Sequence, residues 1–392
     1  MSEPVGESTK DAESSGPRRR SPVRLVLEPV AIVAATLLVL AVIAEGALRL
    51  AYPMPPILEG RLDVRGLVRL SSSPETVWEL APGVDKSIPG MAVHTSSAGL
   101  RDREYTVTRP SDVRRIAFMG DSVVFGYGVS QEDTAPKALE RMLNERNRTT
   151  RYEVMNFGVP GYNTEQEYVT LRDRVLAYHP DIVVLGFVMN DGVATPRVSD
   201  ASVQDLVNQG ADDGGLLQFP GKRFIREHSY LYQFSARRFE TLREKLKLSA
   251  APKYYYDDVQ GLVSPQNPEE ETPNWKRARN ALGQFSALLR EKRIPFVLVV
   301  FPSQNQLRAE ASRQRNEDVL DALRTPQRRL AAFARDSDAV LVDLTQAFDG
   351  FSRAQPLYTD TFSSHPNALG HKIAAMAILD ALSQRSLAGF AN

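Results

Sequence analysis

From Arg114 onward, short apolar runs alternate with helix-length segments, and this alternation constrains the fold more than any other feature of the chain. Runs at 115–119, 152–157, 182–187, 295–301 and 339–342 are brief and β-rich, so they read as strands. Helical patterns lie between them at about 133–147, 163–178, 274–293 and 316–336, and a last one covers 367–385. Strands separated by helices predict an α/β domain, a parallel sheet covered on both faces. Ligands of such sheets bind beyond the carboxyl ends of the strands. Each strand end is therefore the place to look for chemistry.

The first strand ends in Gly120-Asp121-Ser122. Glycine tolerates the sharp turn needed there, and a serine just past a strand-to-helix turn is held exposed with backbone N–H groups converging near its Oγ. Exposure and ready donors are what a nucleophile needs. The plain alternative is that Asp121 or Ser122 only caps a helix. The second strand ends in Asn156-Phe-Gly158-Val-Pro-Gly161-Tyr-Asn-Thr164, a loop that can offer backbone N–H groups to an anion. The third ends in Met189-Asn190-Asp191, where the asparagine amide can donate to an oxyanion. Singly, each loop is as well explained by an ordinary turn.

A late histidine completes the set. Of five histidines, His365 in Ser364-His365-Pro366-Asn367 stands at the start of the closing helix, with Pro366 suited to its first turn. A neutral imidazole there can serve as general base toward a serine. His94, His179, His228 and His371 lack such a setting. His371 reads as a packed or solvent-facing residue one helical turn further on.

The amino-terminal part is of another kind. Residues 1–24 are polar and read as a disordered basic tail with Arg18, Arg19, Arg20 and Arg24. Leu25 to Ala44 is apolar except for Glu28 and Thr36, about the 20 residues that cross a bilayer as a helix. Residues 25–50 are thus expected to be a transmembrane anchor in contact with lipid. A cleaved signal peptide ending near Ala44 is the competing reading. The basic cluster before the span favours a cytoplasmic amino terminus, which puts the large carboxyl-terminal part outside the cytoplasm, on the periplasmic side if the cell is Gram-negative. Residues 51–112, broken by Pro and Gly, read as a stalk or lead-in with few regular elements.

Composition excludes several classes. Lys+Arg and Asp+Glu both number 48, so no global field favours a nucleic-acid partner. With no cysteine, disulfides, thiol catalysis and cysteine-ligated metal are ruled out, and neither a metal nor a cofactor is expected.

The ordered set of Gly-Asp-Ser, glycine loop, Asn-Asp and late His-Pro resembles the SGNH (GDSL) hydrolase family, in its bacterial membrane-anchored type. The likeness runs from about Ser97-Ala-Gly-Leu-Arg-Asp102 to the carboxyl terminus. It implies a flavodoxin-like three-layer α/β/α sandwich over 113–392, with Ser122 as nucleophile and His365 as base. It further implies an oxyanion hole of the Ser122 N–H, the Gly161 N–H and the Asn190 side chain. Two positions depart from the family pattern. Val188 stands where glycine is usual, two residues before Asn190. Phe362 stands where the orienting aspartate is usual, and the nearest carboxylate is Asp360, two residues earlier. Asp360 is favoured as the third member of the triad over Asp343, Asp349 or a backbone carbonyl.

A long insertion at about 192–273 leaves from the rim that bears Asn190. It carries Tyr230-Leu-Tyr-Gln-Phe234, an expected helix to about Leu248, the cluster Tyr254-Tyr-Tyr-Asp-Asp258 and Glu269-Glu-Glu271. Such a segment can cover the site or stack on sugars, or be a solvated loop over an extra helix. The chain thus reads as a membrane-anchored serine esterase acting on small acyl esters, with acetyl groups on cell-envelope glycans as the favoured substrate. An O-acyltransferase that hands the acyl group to a polysaccharide uses the same acyl-enzyme. A non-catalytic glycan-binding or scaffold protein is the third reading.

Overall fold

The computed structural model describes residues 22–51, 66–88, 91–147, 149–195, 229–232, 234–235, 261–264, 267–304, 306–307, 317–352, 354–359 and 365–387. Most of the insertion, including the stretch expected as helix to Leu248 and the 254–258 cluster, lies outside them. The chain divides into two compact units, Met1–Met54 with Gly221–Arg237, and Pro55–Pro220 with Arg238–Asn392.

The first unit contains α1, Pro22–Ala51, a helix of 30 residues. Within it, the 22 residues Pro29–Leu50 are long and apolar enough to cross a membrane. At 1.5 Å per residue they extend about 33 Å, against a hydrocarbon core of about 30 Å. Residues 29–40 are exposed throughout. Their single hydroxyl is satisfied within the helix, Thr36 Oγ1 donating to the Ile32 carbonyl at 2.8 Å, so no polar group of that stretch is left to water.

The second unit begins with two small antiparallel pairs, β1 (Val68–Leu70) with β2 (Trp78–Leu80), and β3 (Asp85–Ile88) with β4 (Met91–His94). This lead-in carries more regular structure than its prolines and glycines suggest. It is also packed: Leu67, Trp78, Leu80, Met91 and Val93 are buried in one cluster with Phe125, Tyr127, Val159 and Tyr162.

The sheet follows. Its strands are β5 (Val113–Gly120), β6 (Arg151–Gly158), β7 (Ile182–Phe187), β8 (Phe296–Val300) and β9 (Val340–Asp343). They run parallel in the order β6-β5-β7-β8-β9. Counting sheet strands alone this is 2-1-3-4-5, the flavodoxin-like winding, and it places the topological switch point between β5 and β7.

The helices are α2 (Ser122–Phe125), α3 (Ala135–Arg146), α4 (Thr164–Asp173), α5 (Pro273–Lys292), α6 (Glu317–Ser337), α7 (Thr345–Ser352) and α8 (Ala368–Gln384). Alternation along β5 sorts them into two layers. Ile116 and Phe118 pack with residues of α3, α7 and α8 in one core, whereas Ala117 and Met119 pack with residues of α4, α5 and α6 in the other. This is the three-layer sandwich.

Helix starts follow side-chain caps. Asn163 and Gln166 form a reciprocal capping box at α4, and Thr272 accepts from Trp275 N at α5. At α8 the cap is Asn367, whose Oδ1 accepts from Leu369 N and Gly370 N. Pro366 is therefore outside the helix rather than in its first turn, and it pairs with Tyr358 instead. An asparagine that satisfies two of the orphan N–H groups is the stronger start signal.

Candidate active site

Three adjacent strands end level with one another. Gly120 on β5 is in register with Gly158 on β6 and Gly186 on β7. A Cβ on any of the three would meet Val124 or Phe125 at 2.2–2.5 Å. The absence of side chains lets α2 settle onto the sheet, and Gly120, at φ 156°, also supplies the bend that leads into it. Ser122 thus stands at the switch point, as the first residue of α2.

Asp121 organises the turn. Its Oδ1 accepts from Val123 N at 2.8 Å and caps α2. Its Oδ2 accepts from Ser122 Oγ and from Asn190 Nδ2, both at 3.2 Å. The plain capping reading of Asp121 is therefore correct but partial, because the same carboxylate also joins Asn190 to the Ser122 turn. Asn190 itself follows β7 in a loop closed twice, by Asp191 N to the Val188 carbonyl at 3.2 Å and by Val188 N to Asp191 Oδ2 at 3.0 Å. That closure is made with valine, so the loop does not need glycine at 188. Gly161 stands on the loop after β6 at φ 80°, and Trp78 Nε1 donates to the neighbouring Pro160 carbonyl at 3.1 Å.

His365 reaches the same place from the far end of the chain. Its Nε2 lies 2.8 Å from Ser122 Oγ. The Ser122 proton therefore has two acceptors in reach, and the imidazole contact is the shorter. The ring of Tyr127 packs against the imidazole at 4.8 Å between centroids. Burial holds the His365 pKa down, to about 4. The neutral form, which can accept a proton, is favoured. Asp360 lies in 360–364, outside the described residues. The ends of that stretch are joined, however, since Thr359 N donates to the His365 carbonyl at 2.9 Å. Of the alternatives, Asp343 is engaged elsewhere, its Oδ1 accepting from Thr345 N and Thr345 Oγ1 at the start of α7.

Two buried features around the turn carry no sequence signal of their own. Arg101, fully buried, donates through Nη1 to the carbonyls of Phe125 and Gly126 and through Nη2 to those of Ala92 and Val129. It closes the open carbonyl end of α2 from behind, and burial lowers its pKa only to about 10, so it stays charged at neutral pH. Beside it Asp102 accepts from Asn156 N and pairs with Lys137 at 2.8 Å. On the opposite side, Glu167 and Asp191 are buried carboxyls. Burial first, then the charge of Asp121 on Glu167 and those of Glu167 and Asp121 on Asp191, push both well above the ordinary carboxylate range. His371 is packed rather than solvent-facing: its Nδ1 accepts from Ala135 N at 3.2 Å. Burial, with the charges of Arg101 and His365, lowers its pKa to about 3.

A cleft of about 410 Å³ lies at the β9 end, lined by Gln306, Asp343, Thr345 and Asp349 among others. It includes neither Ser122 nor His365. Among the described residues, no group of three or more His, Cys, Asp or Glu is arranged to hold a metal.

A 2-1-3-4-5 parallel sheet with a serine and an imidazole in contact at its switch point is the architecture of the SGNH-type hydrolases. Residues 118–373 match the GDSL-like lipase/acylhydrolase family, and the chain belongs to that family of ester-hydrolysing enzymes. Similar solved structures include the lipase/acylhydrolase from Enterococcus faecalis, at 14% identity over 69% of this chain and 96% of that one, with a TM-score of 0.38. A catalytic mutant of the acetylxylan esterase Axe2 from Geobacillus stearothermophilus aligns at 13% identity over 69% and 94%, with a TM-score of 0.39. A protein of the G-D-S-L family from Desulfitobacterium hafniense aligns at 12% over 68% and 99%, with a TM-score of 0.37. No curated protein sequence matches the chain.

Proposed function

We propose that this protein is a membrane-anchored serine esterase that cleaves small acyl esters through an acyl-enzyme on Ser122. The observation that carries the reading is the 2.8 Å contact between His365 Nε2 and Ser122 Oγ. Neutral His365 takes the hydroxyl proton as Oγ attacks the ester carbonyl carbon. The carbonyl oxygen becomes an oxyanion, held by the Ser122 N–H, the Gly161 N–H and the Asn190 amide. Collapse of this intermediate breaks the bond to the alcohol oxygen, which leaves with the proton from His365. Water then repeats the sequence on the acyl-enzyme and releases the carboxylic acid and free serine. Asp360, two residues short of the family's usual place, orients the His365 Nδ1–H.

The apolar α1 is read as the single membrane span, with the catalytic domain outside the cytoplasm. That location makes acyl groups on cell-envelope glycans the favoured substrate, acetyl first among them. Rapid mixing with p-nitrophenyl acetate tests the covalent step. The expected result is a burst of nitrophenol equal to the enzyme concentration, followed by slower turnover, with both lost in Ser122→Ala. Adding an oligosaccharide acceptor then separates hydrolase from transferase: ester formation on the sugar at the expense of free acid would reassign the protein as an O-acyltransferase. Turnover that survives in Ser122→Ala would refute the mechanism.

A further inference from the structure

Within Pro29–Leu50 the membrane helix carries two ionisable residues that the esterase reading leaves unused, Glu45 and Arg49. Glu45 lies five residues before Leu50, the end of the apolar stretch, or about 7.5 Å along the axis at 1.5 Å per residue. A carboxylate at that depth is costly unless partnered, and intramembrane ionisable groups mark functional contacts. Glu45 is fully partnered, and three of its four donors come from the distant 229–231 segment. Its Oε2 accepts from Ser229 Oγ at 2.9 Å and from Leu231 N at 2.8 Å, and its Oε1 accepts from Tyr230 N at 3.0 Å. Arg49 Nε supplies the fourth at 2.8 Å, and its guanidinium lies 5.0 Å over the Tyr230 ring.

The exposure of α1 independently marks the same face. Residues 29–40 are all exposed, but Ala41, Ala44, Glu45 and Leu48 are half-buried. Their spacing of i, i+3, i+4 and i+7 makes one stripe of the helix. Two of the four are alanines, which admit close approach of another backbone within a membrane. The residues brought to this stripe are Ser229-Tyr-Leu-Tyr232, followed by Phe234. Tyrosines of this kind, each with an apolar body and a polar tip, concentrate where lipid chains meet headgroups.

We propose that residues 229–232 return the chain to the bilayer interface, docked on the outer end of α1 through Glu45, so that the protein meets the membrane twice along its sequence. The partner of the exposed side of this segment is the lipid surface. One consequence concerns the insertion between Asn190 and Asn274: it is tied to the membrane near its middle rather than hanging free in solvent. The proposal rests on the reading of α1 as a span.

The absence of cysteine makes the test direct. The full chain with Tyr232→Cys, labelled with the environment-sensitive dye NBD, is reconstituted in phosphatidylcholine–phosphatidylglycerol vesicles. Val107→Cys, at a residue 54% exposed in the other unit, is the solvent reference. The expected result is blue-shifted emission at 232, several-fold weaker quenching by iodide than at 107, and quenching by headgroup-proximal doxyl lipid. Adding Glu45→Ala should bring iodide quenching at 232 up to the level at 107. Glu45→Gln, which keeps an acceptor oxygen for the N–H groups, should fall between. Hydrolysis of a p-nitrophenyl ester by each variant confirms that the α/β domain is folded. Vesicle flotation separates the two claims. Protein that floats while the 232 probe is open to iodide, is unaffected by Glu45→Ala, or is shielded without doxyl quenching would overturn the docking alone. Protein that does not float would remove the span and the docking together.

Discussion

If Asp121 holds the Asn190 amide in place, the two residues must be energetically coupled, and a double-mutant cycle reads the coupling. In the proposed mechanism Asn190→Ala deletes one donor to the oxyanion. That interaction exists only after attack, so kcat should fall by about 10²–10³, or about 2.7–4 kcal/mol, with KM little changed. Asp121→Ala deletes the acceptor 3.2 Å from Asn190 Nδ2. The amide then turns about a broad, roughly two-fold torsion and spends part of its time with the oxygen where the donor belongs. A loss of about 10- to 100-fold in kcat is expected, together with about 1 kcal/mol of stability from the missing cap on Val123 N. In the Asn190→Ala background most of the catalytic part of that loss is already spent. What remains comes from the Asp121 contact with Ser122 Oγ. The coupling should therefore be about 1–2 kcal/mol, within the range for residues in contact. Initial rates at saturating p-nitrophenyl acetate give kcat, and urea unfolding shows whether each variant is folded. Losses that add to within about 0.5 kcal/mol would show that Asp121 does not act through Asn190. An unchanged kcat in Asn190→Ala would remove the amide from the mechanism altogether.

Three further outcomes follow from the same geometry. If neutral His365 is the base, as proposed, burial holding its pKa down toward 4 means that protonation should inactivate only at low pH. The acid limb of kcat/KM should lie well below the ordinary histidine value of about 6.5, and a limb at or above 6.5 would contradict the packed, neutral imidazole. Asp360→Asn should keep the fold while losing much of the activity that Ser122→Ala loses; near-normal turnover on a small ester would show that another group orients His365. Reporter fusions after residue 60 should be active only with a reporter that matures outside the cytoplasm. Activity of a cytoplasmic reporter would reverse the topology, and a mature protein beginning near Glu45 would show cleavage instead of anchoring.

What the sequence revealed and what it hid divide along contact range. Strands such as 182–187 announce themselves because six consecutive residues are buried on both faces, so the apolar run and the element coincide. The helix start at 163 is legible because a cap and its partner, Asn163 and Gln166, lie three residues apart. The family motifs carried Ser122, Gly161, Asn190 and His365 to one list, and the parallel register explains why three of them share a rim. The carboxylate that joins Asn190 to the turn was hidden, since residues 121 and 190 meet only across the switch point. Arg101 was hidden for the same reason: its acceptors are 9 to 28 residues away, and a buried arginine looks like a surface one in sequence. The strands of the lead-in were missed because three or four residues are too few to establish a period. Glu45 reads in sequence as a blemish at the end of an apolar stretch, and only its bonds to a segment some 185 residues away give it meaning.

The central claim is that Ser122 becomes acylated. Purified protein treated with a fluorophosphonate, or quenched during turnover of a p-nitrophenyl acyl ester, can be digested and the modified peptide found by mass spectrometry. The account predicts one adduct, on Ser122, formed with a rate that falls by orders of magnitude in His365→Ala and lost in Ser122→Ala. An adduct on any other residue, or ester hydrolysis that proceeds with Ser122 never modified, would contradict it.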